Sequence, residues 1–67
     1  MFNKAKLREA IIKRNMKDIN IANIMSISKQ ALSLKMRGKT RWTIDDVNIL
    51  KSTIGLTDKE IIDIFFD

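Results

Sequence analysis

Between Ile21 and Gly38 the chain reads IANIMSISKQALSLKMRG, with no proline and with glycine only at its end. Wound as one helix at about 100° per residue, this stretch puts Ile21, Met25, Leu32 and Met36 on one side. It also puts Ser28 and Lys29 there, and it turns Ile27 away. A break at Ser26 to Ser28 removes both conflicts. Ile27 then tucks inward from the turn, and Ser28 becomes the N-cap of a new helix running to Arg37, with Gly38 as the left-handed residue after it. One long helix would belong to a bundle or a coiled coil, whereas two short helices packed at an angle leave the second with an outward face to use. The spacing predicts two. Ala31 stands where a capping box would place Glu or Gln, so this cap rests on Ser28 alone.

The rest of the chain follows the same helical period. Asn3 is placed to cap a first helix whose inward side carries Leu7, Ala10, Ile11 and the aliphatic stem of Arg14, and Asn15 suits a left-handed stop. A second helix begins near Lys17-Asp18, with Asp18 against the positive end of the dipole, and buries Ile21, Ala22 and Met25. Thr43 before Ile44-Asp45-Asp46 reads as an N-cap with acids in the first turn; Ile44, Val47, Leu50 and Ile54 form the stripe, and Gly55 ends it. Thr57-Asp58-Lys59-Glu60 has the form of a capping box and launches Ile61, Ile62, Ile64, Phe65 and Phe66. The expectation is an all-α, compact five-helix fold, one domain over residues 1–67.

At 67 residues the chain is near the lower limit for a fold held by its core alone, and it contains neither cysteine nor histidine. Disulfides, thiolate or imidazole metal sites and the usual nucleophile and base of hydrolases are therefore out of reach. Asp45 and Asp46 read as first-turn helix acids, with no base, metal ligand or glycine-rich loop beside them, so no enzyme and no cofactor is expected. No apolar run approaches the roughly 20 residues of a membrane span, and the start of the chain is charged. The expected setting is the cytoplasm, with no membrane partner.

Charge is divided unevenly. Residues 1–41 hold 11 Lys/Arg and 2 Asp/Glu, a net +9, whereas residues 42–67 hold 2 and 6, a net −4. No acid lies between Asp18 and Asp45, where Lys29, Lys35, Arg37, Lys39 and Arg41 cluster. Such a stretch is either a solvated basic face or the footprint of a polyanion binder.

The segment NMKDINIANIMSISKQALSLKMRGKTRWT resembles the helix-turn-helix of the Cro and lambda-repressor-like family of phage and prophage regulators, with the motif over about residues 17–37. Ala22, Ser26, Ile27, Ser28 and Leu32 carry the spacing: a small residue where two helices approach, an apolar turn residue, the start of the recognition helix and its core anchor. The resemblance implies that Lys29, Gln30, Ser33 and Leu34 face bases in the major groove of double-stranded DNA. Gln suits adenine, Lys suits guanine, and a leucine can meet a thymine methyl. It further implies that Ser28, Arg37, Lys39 and Arg41 hold phosphates, fixing register without reading sequence. Two positions depart from the family pattern. Ser26 stands where a turn glycine is usual, at a cost on the order of 1 kcal/mol if its φ is positive. Asp18 stands where a phosphate-contacting Gln is frequent.

The implied function is a Cro-like repressor that reads an operator as a homodimer, at least on DNA, with no small-molecule ligand. The last helix carries more large apolar residues than one stripe can hide. Ile61, Ile62 and Phe65 share a face expected to meet the core, which leaves Phe66 and Ile64 as dimer contacts. The other class of function open to the chain is a small helical protein-interaction module, such as an anti-repressor, using that same helix. Trp42 reads as a lid over the motif or as a base-stacking residue, and Leu34 as a base contact or a scattered exposed apolar residue. RNA binding has less in its favour, since Phe2 and Trp42 are few and far apart in sequence for a stacking platform.

Overall fold

A computed structural model describes residues 2–66. Five helices, with no strand among the described residues, pack into a body of 27 × 24 × 20 Å: α1 Lys4–Lys13, α2 Asp18–Ile24, α3 Lys29–Met36, α4 Ile44–Ile54 and α5 Asp58–Ile61, the last continuing as a π-helical turn Ile62–Phe66. No helix among the described residues is long and apolar enough to cross a membrane.

The ends fall where the side chains dictate. Asn3, Ser28, Thr43 and Thr57 each accept a hydrogen bond from the backbone N–H three residues on, at 3.0–3.1 Å. Asp46 and Glu60 return the bond to Thr43 N–H and Thr57 N–H at 3.0 and 2.9 Å, completing two capping boxes. Asn20 does the same for Lys17 N–H at 2.9 Å, which steadies the start of α2. Asn15, Gly38 and Gly55 take left-handed backbone at the stops of α1, α3 and α4.

The segment Ile21–Gly38 is two helices. Ile27 N–H bonds back to the Ala22 carbonyl at 3.0 Å, and the Ile27 side chain packs on the core from the turn. Ser26 has φ +57°, so a residue with a Cβ occupies the left-handed turn position. Asn15 has the same φ, but its side chain is one that tolerates this region. Replacing Ser26 with glycine relieves the Cβ clash while adding freedom to the unfolded chain. A net stabilisation of about 0.5–1 kcal/mol is expected, and a smaller gain for Asn15→Gly, both read from denaturant midpoints.

One continuous core joins the helices: Leu7, Ala10 and Ile11 from α1, Ile21 and Ala22 from α2, Leu32 and Met36 from α3, Leu50 from α4, and Met25, Leu56 and Ile64 outside the regular α-helices. Ala22 is fully buried where α2 meets its neighbours, a place a larger side chain would force open.

Two sequence expectations are corrected by this packing. Ile44, expected in the buried stripe of α4, is 66% exposed. In the last helix the inward residues are Ile64, fully buried, and the partly buried Ile61 and Phe65, while Ile62 is 54% exposed. On the helix surface Ile64, three residues after Ile61, shares a face with Ile61 and Phe65 as readily as Ile62 does, and the core takes Ile64. Asn3 N–H donates to the Ile64 carbonyl at 2.6 Å and ties the chain's start to that turn. Ile64 is thus a core residue and not a dimer contact; of the two residues expected to meet a partner, only Phe66 is exposed.

Candidate nucleic-acid interface

Leu32 and Met36 fix α3 to the core, and that anchoring decides which way its other side chains point. Lys29, Gln30, Ser33 and Leu34 are all exposed, Leu34 at 39%. The side chains of Lys29 and Gln30 have no hydrogen-bond or ion-pair partner among the described residues. The Ser28 hydroxyl oxygen accepts the Ala31 N–H, which leaves its O–H free to donate to an anion at the start of α3.

The cations that follow α3 separate into different roles. Arg37, Lys39 and Arg41 are exposed, and none makes an ion pair among the described residues. Lys35 leaves the basic cluster. Its ammonium meets Asp46 at 2.9 Å and the Arg41 carbonyl at 3.1 Å, and it lies 5.7 Å from the centre of the Trp42 ring. Burial pushes the Asp46 carboxyl up, but the Thr43 N–H and the Lys35 ammonium outweigh it and hold the group below the usual carboxylate range. Lys35 therefore locks α3 to the start of α4 instead of facing a ligand.

Trp42 completes that lock. Its indole N–H donates to the Lys35 carbonyl at 3.1 Å, and its ring sits 5.1 Å from Phe2 and 5.3 Å from Phe65, centre to centre. Phe2 and Phe65 are themselves 5.8 Å apart. Phe2 and Trp42, distant in sequence, are neighbours in space. Their rings are used on each other and on Phe65, which is the arrangement of a lid.

No family model, curated protein or solved structure matches the chain. The surface around α3 has to be read from its own chemistry.

One groove borders α3, and a second lies past its C-terminal end. The first runs along the seam between α1 and α3, where adjoining depressions share Arg8, Asp18 and Lys29 at one end and Lys4, Met36 and Arg37 at the other. Asp18, seen in sequence as a dipole acid, pairs loosely with Arg8 at 3.3 Å. Lys4 and Arg8 are cations that sequence reasoning left out of the basic surface. Their i, i+4 spacing on α1 was visible, but only the fold shows that this edge borders α3. The second groove is lined by Arg41, Trp42, Ile44, Val47, Phe65 and Phe66 among others. Ile44 and Phe66 stand at its border, 66% and 61% exposed.

Proposed function

We propose that the chain is a sequence-specific double-stranded DNA-binding transcription regulator, a Cro-like repressor whose helix-turn-helix is formed by α2 and α3. The observation that carries this reading is the outward face of α3. There Lys29, Gln30 and Ser33 project from a helix held in place by Leu32 and Met36. These side chains can donate to and accept from base edges, and a single α-helix fits the width of the major groove. Arg37, Lys39 and Arg41, exposed just beyond, would hold the backbone. Selection of duplexes from a random library tests it. An enriched inverted repeat, its half-sites about one helical turn apart, is the expected result. A library that stays unenriched at moderate salt would sink the proposal.

The groove at Ile44 and Phe66 favours one further reading, in which the chain is a helical interaction module such as an anti-repressor. The two readings part at Phe66. In the repressor reading Phe66 joins two copies, so Phe66→Ala keeps the fold and weakens binding to a two-half-site operator far more than to one half-site. Sedimentation with each DNA checks this. An undiminished two-to-one complex on the full operator would remove Phe66 from the dimer contact.

A further inference from the structure

The groove between α1 and α3 carries an inference that rests on the DNA reading and extends it to a helix that reading does not use. Lys4 and Arg8 lie one turn apart on α1, about 6 Å along its axis. Across the seam, Lys29, Ser33 and Arg37 repeat the same spacing on and just past α3. Four cations face one carboxylate there, Asp18, and the groove holds a charge of +3. Like charges lining one groove repel, and a bound anion relieves that repulsion. The depression is open at both ends, continuing past Arg37 to Gly38 and past Lys29 to Lys17. That shape suits a continuous phosphodiester strand better than an isolated phosphate. Asp18 occupies the anion's place beside Arg8, but the pair is 3.3 Å apart with side chains 49% and 32% exposed. Water screens such a pair, so exchanging the carboxylate for a phosphate loses little, and Arg8 can bind the phosphate with two parallel hydrogen bonds.

We infer that Lys4 and Arg8 form a second phosphate-binding edge, which with Arg37 grips one strand of the duplex, and that Asp18 holds Arg8 until a phosphate displaces it.

The test uses the full chain and a fluorescently labelled duplex of random sequence, with anisotropy followed across a salt series. Lys4→Ala and Arg8→Ala should each weaken binding by about 8-fold at 0.1 M salt and lower the salt slope by about 0.9, the share of one phosphate contact. Arg8→Lys should recover most of that slope, which a folding defect would not allow. Asp18→Asn should tighten binding about 3-fold by removing a charge that opposes phosphate. Binding of Lys4→Ala and Arg8→Ala within two-fold of the parent, with Arg37→Ala lowering the slope, would discard the α1 edge and leave the DNA reading standing. A parent chain that binds no duplex would discard both. If the same variants lost binding to phosphatidylserine vesicles while duplex binding was intact, the groove would face a membrane surface and the inference would fall. Weaker binding by Asp18→Asn would overturn the role given to Asp18.

Discussion

Arg14→Met is expected to lower the unfolding free energy by about 3 kcal/mol, a large part of what a chain of this length holds in reserve. The guanidinium joins three elements at once. It donates to the Ala10 carbonyl at 3.0 Å, to the Ile54 and Gly55 carbonyls at 2.8 and 3.0 Å, and to both carboxylate oxygens of Glu60 at 2.7 and 3.0 Å. Both side chains are only 19% exposed. Methionine keeps the aliphatic stem and removes every donor, so the Glu60 carboxylate and the end of α4 lose their partner together. A melting temperature lower by roughly 15 °C checks the claim. Lys51→Met, which breaks the exposed pair with Asp58, should move it little.

The same contact sets an acid limb. Hydrogen bonds from Arg14 and then from the Thr57 N–H hold the Glu60 carboxyl at about 2, below its ordinary 4.5. A depressed folded-state pKa means that the stabilisation is fully present above pH 4.5 and is lost as pH falls through about 2. At a pair one-fifth exposed, its share is roughly 2 kcal/mol. Melts of the parent and Arg14→Met between pH 7 and pH 2 should therefore converge in part. The gap that remains at pH 2 belongs to the bonds Arg14 makes to carbonyls, which do not titrate. A gap independent of pH would show that Glu60 contributes nothing through its charge.

The Arg14 contact also marks the limit of what the sequence discloses. Asn3, Ser28, Thr43 and Thr57 are legible because each acts on a backbone N–H three residues away, and that is a property of the local string. The break between α2 and α3 is legible for a related reason: a single helix would bury Ser28 and Lys29. Arg14 meets residues more than 40 positions away, so only its stem, placed on the inner side of α1, could be anticipated. Ile64 was misplaced because helical spacing puts Ile62 and Ile64 equally close to the face of Ile61 and Phe65, and only the packing against α1 and the core decides between them. For the site, the four exposed residues of α3 follow from its register, whereas counting charges overstated the basic face at Lys35 and missed it at Lys4 and Arg8. Charge along a chain does not record which cations fold onto carboxylates.

Gln30→Ala should cost roughly 1–3 kcal/mol at the selected operator and relax preference at a single base position, because the amide can both donate to and accept from one adenine edge. The fold should be untouched, since Gln30 is exposed and its side chain bonds to nothing among the described residues. Leu34→Ala should cost less, as it removes one apolar contact from a side chain 39% exposed. The cations behave differently. Loss of charge at Arg37, Lys39 or Arg41 should weaken the operator and random duplex about equally and lower the salt slope by about 0.9 for each contact, because phosphates are the same in every sequence. A binding matrix measured for each variant against all single-base changes in the operator separates the two kinds of residue. Should Gln30→Ala keep the parent's affinity and matrix, the amide reads no base. Should Arg37→Ala instead change the matrix at one position with the slope intact, Arg37 reads a base and is not a phosphate contact.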